Sequence, residues 1–263
     1  MMAVHAHPDD EAVGTGGALA RYSAEGVRTV LVTCTNGEQG DGPGGAKPGE
    51  PGHDPDSVAA TRLNELRKAA EILKVSELEL LGYRDSGMAG WDANADPGSF
   101  CNVPLQQPVG QLAALMARYR PQVVVTYDAN GGYGHPDHIQ AHRATVAAAE
   151  MTGIPEKLYY VAFPRSFFAE MRERLDQLGV GGPEDLPEDF GTPDEEVTTV
   201  VDVSGYVRQK LSALEAHASQ SENFAIRTLP EELILEGFSR EWFTLRSSTE
   251  RAQREDDLFA GLR

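Results

Sequence analysis

Only two cysteines, Cys34 and Cys101, occur in 263 residues. That is too few for a disulfide framework, and a pair of reduced thiols is expected. Basic side chains are scarce as well: 23 Lys and Arg stand against 41 Asp and Glu, a formal net charge of −18. A chain this acidic lacks the basic footprint that grips a phosphate backbone or an anionic lipid surface, which argues against nucleic acid and membrane as partners. No run approaches the ~20 apolar residues of a membrane span. Met1-Met2-Ala3-Val4-His5 leads straight into a charged motif, with neither the basic nor the apolar region of a secretory leader. The expected compartment is the cytoplasm. Internal repeats and long low-complexity tracts are also missing.

What is present is an apolar pattern that switches between strand and helix periods. Short apolar or β-branched runs at 3–6, 27–34, 78–81, 123–127 and 157–161 predict strands. Segments 11–25, 58–73, 109–119, 135–151 and 166–178 predict helices, with Leu63, Leu66, Ala70 and Leu73 on one face of the second. Strands alternating with helices imply crossover units. The expected fold is therefore α/β, a Rossmann-like, doubly wound, mostly parallel sheet with helices on both faces. A smaller C-terminal extension, a strand at 197–203 and a helix at 207–218, precedes a polar tail. Residues 1–180 are read as the core, and 181–263 as an acidic linker plus an extension packed on it, a single domain overall. Residues 183–196 carry seven acids among Pro and Gly and predict a solvated linker. Residues 37–57, loaded with Gly and Pro, predict either a surface excursion or a lid over a site.

Five of the seven histidines fall into two groups. His5-Ala6-His7-Pro8-Asp9-Asp10-Glu11 stands where the first strand gives way to a helix. Gly131-Gly132-Tyr133-Gly134-His135-Pro136-Asp137-His138 follows the 123–127 strand and opens another helix, with His142 one turn later. In both, proline sits at or just before the first helical turn, where its fixed φ is tolerated. Ligands collect at the carboxyl ends of strands in such sheets, so the two groups plausibly build one metal site. Imidazole nitrogen and carboxylate oxygen suit catalytic Zn²⁺ with three protein ligands: His7 and Asp10, three residues apart, with His138 from the neighbouring strand end. His142, four residues from His138 on one helix face, is a competitor for that place. Asp9, adjacent but not needed as a ligand, is placed to accept a proton from a water activated by the metal. His135 is suited to meet the substrate as imidazolium or N–H donor, with Asp137 holding it in one orientation. His5 is read as core or as support, His53 as solvated, and His217 as packing.

A rival motif fails. Gly14-Thr15-Gly16-Gly17 follows the first strand, but the sixth position of a dinucleotide fingerprint is Leu19, and no ribose-binding acid ends the second strand. Asp9, Asp10 and Glu11 would also repel a pyrophosphate.

At Ala6-His7-Pro8-Asp9-Asp10-Glu11 and His135-Pro136-Asp137-His138 the chain resembles the LmbE-like zinc N-deacetylases, the family that includes N-acetylglucosaminyl-phosphatidylinositol deacetylase. The resemblance covers most of the chain. It is nearest to the mycothiol-pathway deacetylase and mycothiol S-conjugate amidase branches, sharing Thr126 to Gly134, Arg84-Asp85-Ser86-Gly87-Met88 and Ala216-His217-Ala218-Ser219-Gln220. It implies zinc at His7, Asp10 and His138, with Asp9 as base. It further implies His135 as acid or oxyanion stabiliser, Tyr133 as a mobile hydroxyl near the oxyanion, and Arg62 and Asp85 on sugar hydroxyls. Gly14 stands where the amidase branch has lysine, and the acidic Pro/Gly segment replaces a longer insertion of the deacetylase branch.

These features lead to a Zn²⁺-dependent amidohydrolase that removes an acetyl group from an amino-sugar-type small molecule, with Fe²⁺ able to occupy the same ligands. Two alternatives stand beside it. One is amidase action on a larger thiol S-conjugate or an antibiotic-pathway intermediate. The other is a non-catalytic metal- or sugar-binding protein, against which Asp9 and His135 speak because pure binding needs neither. A metallophosphoesterase fits less well, since that chemistry uses two metals and the ligands suffice for one.

Overall fold

The valine-rich runs pair side by side and the amphipathic segments cover them. A computed structural model describes residues 1–177, 190–220, 230–246 and 254–262. Its strands are β1 (Met2–His5), β2 (Val30–Thr35), β3 (Glu77–Tyr83), β4 (Val123–Thr126), β5 (Lys157–Ala162), β6 (Thr199–Asp202) and β7 (Arg240–Leu245). They form a seven-stranded sheet in the order β3-β2-β1-β4-β5-β7-β6. The first five are parallel, and β7 runs antiparallel to both β5 and β6.

The helices are α1 (Asp10–Gly14), α2 (Gly16–Ala24), α3 (Pro55–Ile72), α4 (Gln106–Tyr119), the single turn α5 (Gly131–Gly134), α6 (Pro136–Thr152), α7 (Arg165–Gln177) and α8 (Val207–Ala216), followed by a short helix, Glu231–Gly237. Strand alternation sends Ala3, Leu31 and Val125 to one face, where Leu19, Leu66, Leu73 and Leu214 of the α2, α3 and α8 layer bury them. Met2, Val4, Val32 and Val124 face the other way, onto Leu112 and Met116 of α4 and Ala141, Ala144 and Ala148 of α6. The run of small residues on α6 lets it lie close to the strands. The order reverses at β1, with β2 on one side and β4 on the other. In a doubly wound sheet this switch point is where ligand clefts form.

Three expectations need correction. The helix expected over 11–25 is two helices, α1 and α2, broken at Thr15 (φ −141°), whose hydroxyl bonds the His5 ring at 2.9 Å and donates to the Glu11 carbonyl. The polar tail expected after residue 218 includes β7, inserted between β5 and β6. Its inward residues are Glu241 and Phe243, both buried, so one inward position is charged and disguises the alternation. Of the acidic linker, residues 183–189 lie outside the described residues. Its remainder is anchored: Thr192 bridges Pro164, and Asp194 accepts the Ser166 N–H at the start of α7.

Glu241 is buried for a reason. Its two oxygens accept the Gly17 and Ala18 N–H groups at 2.8 Å each, capping the first turn of α2, while Lys210 Nζ of α8 lies 2.6 Å away. One carboxylate thereby joins β7, α2 and α8. Glu241→Ala would strand the Lys210 ammonium and two helix N–H groups, and is expected to lower stability by about 3–5 kcal/mol in urea unfolding. A Lys210→Met, Glu241→Met double variant should recover much of that loss. A single-variant loss below ~1 kcal/mol would mean the pair acts no more strongly than an exposed one.

Candidate active site

β1 ends at His5, and the chain turns through His7, Pro8 and Asp9 before α1 begins at Asp10. One strand over, β4 ends at Thr126, and a glycine turn leads to α6, whose first residues are Pro136, Asp137 and His138. Gly131 (φ 64°) passes so close to α6 that a Cβ there would lie 2.7 Å from His138 Cβ, which is why this turn is built from glycine.

The two loops bring three acceptor atoms together. His7 Nδ1 lies 3.2 Å from His138 Nε2 and 3.3 Å from Asp10 Oδ2, and His138 Nε2 lies 3.5 Å from Asp10 Oδ2. The other nitrogens of the two imidazoles are committed elsewhere. His138 Nδ1 bonds the Gly131 carbonyl at 3.1 Å, and His7 Nε2 bonds Asp137 Oδ2 at 3.2 Å, so in each neutral ring the proton sits on the far nitrogen and the facing nitrogen offers a lone pair. Tyr127 donates its hydroxyl to Asp10 Oδ2 at 2.7 Å while accepting the Ala6 N–H. Donors at about 2.0–2.2 Å from a tetrahedral ion are separated by about 3.3–3.6 Å, so these three atoms fit one face of such a site. Two further groupings lie within reach of one ion, His7 with His135 and His138, and His7 with Asp85 and Asp137. In the second grouping the carboxylates accept backbone N–H groups, Asp85 from Gly87 and Asp137 from Ser86, as Asp10 Oδ2 does from His7 at 2.8 Å.

Electrostatics agree with a cation at this point. Burial disfavours the His7 charge, but Asp85, Asp10 and Asp137 outweigh it and push the imidazole well above its ordinary 6.5. Burial likewise opposes ionised Asp10, yet His138 and His7 hold its carboxyl well below the usual range.

Asp9 stands next to this triangle in an unusual backbone conformation, φ 112° and ψ −27°. For a residue other than glycine such a conformation costs about 1–3 kcal/mol and persists only where its surroundings enforce it. Arg62 donates to Asp9 Oδ2 at 3.0 Å, to the Pro8 carbonyl at 2.6 Å and to the Gly37 carbonyl at 2.8 Å. Burial raises the Asp9 pKa, with Arg62 opposing and Asp10 reinforcing the shift. A raised carboxyl is a stronger base once ionised.

His135 precedes α6 and is buried; its Nδ1 accepts the Asp137 N–H at 3.1 Å, which leaves Nε2 as the proton-bearing nitrogen. Burial and the nearby His7 and His138 depress its pKa to about 3. Of the two expected forms, the structure therefore holds the neutral N–H donor. Asp137 was expected to orient His135 through its carboxylate. Instead that carboxylate accepts from Ser86 and faces His7, because it starts α6 pointing into the sheet edge, and only its backbone N–H reaches His135.

The other expected residues take definite places. Tyr133 is half exposed, its ring edge-on to His138 at 5.2 Å. Arg62 and Asp85 are both buried; Asp85 accepts from Gly87 and, at 3.4 Å, from Gln39. His142 bonds the Tyr127 carbonyl at 2.8 Å and packs on Tyr160, away from the triangle. His53, expected in solvent, instead bonds the Gly40 carbonyl at 2.9 Å and is only partly exposed. Ser86 and Tyr127 carry no role in the sequence reading; their signal is membership of the shared stretches Arg84-Asp85-Ser86-Gly87-Met88 and Thr126 to Gly134.

Beside Asp10, Tyr133 and His138 opens a cavity of about 330 Å³ walled by Val13, Val161, Phe163, Phe167, Phe168 and Trp242. No helix among the described residues is long and apolar enough to cross a membrane.

A sequence profile for PIG-L, GlcNAc-PI de-N-acetylase, matches residues 2–149. The 1D-myo-inositol 2-acetamido-2-deoxy-alpha-D-glucopyranoside deacetylase of Acidothermus cellulolyticus is 41% identical, with 100% of this chain and 94% of that protein covered. The deacetylase of the same name from Thermobifida fusca is 40% identical, covering 99% and 98%. Among solved structures, the N,N'-diacetylchitobiose deacetylase of Pyrococcus horikoshii superposes with a TM-score of 0.58 at 21% identity, covering 93% of this chain and 82% of that one. At that identity the likeness concerns the fold.

Two measurements probe the donor triangle. His138→Ala should abolish stoichiometric metal uptake, as read by elemental analysis of reconstituted protein, whereas Asp9→Ala should keep it. An unchanged metal content in His138→Ala would refute the ligand set. Because His7 must lose its proton to ligate and its pKa is raised, metal affinity should climb as pH rises above the ordinary imidazole range, by up to about tenfold per unit until the elevated pKa is passed.

Proposed function

The chain belongs to the PIG-L family of GlcNAc-PI de-N-acetylases, and we propose that it is a zinc-dependent amidohydrolase. Its substrate is an N-acetylglucosamine-type small molecule, of which the inositol-linked 2-acetamido-2-deoxyglucoside named for its relatives is the leading member. The observation that carries this reading is a partly exposed carboxylate, Asp9, set against a triangle of two imidazole nitrogens and a carboxylate oxygen. His7, Asp10 and His138 would hold the metal, Zn²⁺ in the first place, with Fe²⁺ able to take the same ligands. When bound, it supplies Lewis-acid polarisation of the amide carbonyl and acidifies water.

The chain's own residues do the rest. Asp9 takes a proton from the attacking water as the water oxygen bonds to the carbonyl carbon. His135, neutral with its proton on Nε2, donates a hydrogen bond to the developing oxyanion, and the Tyr133 hydroxyl, on the same rim, joins it. The C–N bond then breaks, and Asp9, now protonated, returns the proton to the departing amine, so that water and amide become acetate and a free amino sugar. Arg62 steadies the Asp9 carboxylate, and Asp137 steadies His7. Asp85 lies behind the ligands, and it and Arg62, both buried, are the residues we assign to the sugar hydroxyls. With a net charge of −18, a small neutral glycoside is a better partner than a polyanion, and the cytoplasm is the compartment we assign.

A second reading has one specific support. The aromatic cavity of about 330 Å³ is far larger than an acetyl group requires, and it favours an amide bearing a bulky apolar portion, such as a thiol S-conjugate.

Acetate release from N-acetyl amino sugars, the inositol-linked one included, should be observed with zinc-reconstituted protein and fall by at least ~10²-fold in Asp9→Ala. Turnover that survives Asp9→Ala would refute the assigned base. Silence on acetyl glycosides with cleavage of a bulky S-conjugate amide would establish the second reading.

A further inference from the structure

We propose that Glu11 and His217 form a clamp that holds Asp9 in its left-handed backbone conformation and so aims its carboxylate, which makes both of them positioning residues for the hydrolysis. The proposal rests on the reading of Asp9 as the base. Glu11 and His217 are 206 residues apart and both fully buried, and Glu11 Oε1 meets His217 Nε2 at 2.7 Å. The second oxygen of Glu11 does not continue into α1. It reaches back two residues and accepts the Asp9 N–H at 3.0 Å.

The peptide joining Pro8 to Asp9 is thereby gripped at both polar ends. Arg62 holds its carbonyl at 2.6 Å and Glu11 holds its N–H. Rotation of that peptide, which would relax Asp9 from φ 112°, breaks both hydrogen bonds at once. Without such a grip, a β-carbon-bearing residue leaves this region of conformational space.

The segment that follows His217 is itself tied down. Ser219 donates its N–H and hydroxyl to Glu65 at 2.9 and 2.7 Å, and Gln220 accepts the Asp41 N–H at 3.1 Å. Glu65 lies on α3, three residues after Arg62 and so on the same side of the helix. The segment after α8 therefore ties into the helix that supplies the other half of the grip. Neither Glu11 nor His217 lines the aromatic cavity or belongs to the donor triangle, and among the described residues the pair meets the site at the Asp9 N–H.

The test compares His217→Leu and Glu11→Met, which remove the clamp, with His217→Gln, which keeps an N–H donor near the place of Nε2. Crystal structures of the two disrupting variants should show the 8–9 peptide rotated and Asp9 at negative φ, whereas His217→Gln should keep the native turn. On the acetyl glycoside, His217→Leu should lower kcat on the order of 10²-fold. KM should stay within about threefold and metal content unchanged, and His217→Gln should recover most of the rate. Asp9 remaining near its native φ in both disrupting variants would overturn the clamp, as would an equal kcat loss in His217→Gln. Should His217→Leu not fold, Glu11→Met and His217→Gln carry the same comparison. Absence of acetate release by the wild-type protein would count against the deacetylase reading, while the crystal structures would still decide the clamp.

Discussion

Acceptor lone pairs aimed at one point repel each other, and this protein aims three of them at the point where its first strand ends. Nothing in the local sequence makes that arrangement comfortable. It persists because each contributing side chain is secured from behind, His138 by the Gly131 carbonyl, His7 by Asp137, and Asp10 by the Tyr127 hydroxyl. The repulsion is relieved by a positive charge, either a proton on His7, whose carboxylate neighbours push its pKa up, or a metal ion. The remaining polar groups of the site can be understood as the frame that keeps this strained meeting in place: Ser86 on Asp137, Ala6 on Tyr127, and Arg62 on the turn beside it.

Much of this was legible in the residues. The alternation of β-branched runs with amphipathic stretches is a local signal, and β1 to β5 stand within a few residues of their expected limits. The two His-Pro-Asp groups were legible for the same reason: proline opens each helix, so His7, Asp10 and His138 fall at strand ends, and the parallel order of β1 and β4 sets those ends side by side. What stayed hidden depended on which side a side chain takes once the layers close. Asp137 could not be assigned to His7 rather than His135 from spacing, because backbone and carboxylate of one residue serve different histidines. Glu11 reads as the end of the first motif and His217 as packing, and their pairing exists only after α8 packs beside α1 and α2.

The C-terminal third was the least legible part, and the physics is that of buried charge. Glu241, Lys210, Glu11 and His217 are all interior, and along the chain Glu241 and Lys210 read as marking a solvated face. Buried ionic groups survive only when paired and hydrogen-bonded. Here the pairs link late segments to α1 and α2, so that the charges that obscure the pattern also fasten the last strand and helix to the first.

The insertion of β7 between β5 and β6 has a consequence for synthesis. A strand's unpaired N–H and C=O groups form a template for any other strand until a partner arrives. The β5 edge, complete at Ala162, receives its neighbour only when Arg240–Leu245 has been made, and at about 5–20 residues per second that delay lasts several seconds. Through that interval the nascent chain presents Tyr159, Tyr160 and Val161 on an open edge, and the half of the sheet that carries the candidate site is formed while its flank is still bare. Closure of that edge waits on β7, far along the chain from the candidate site.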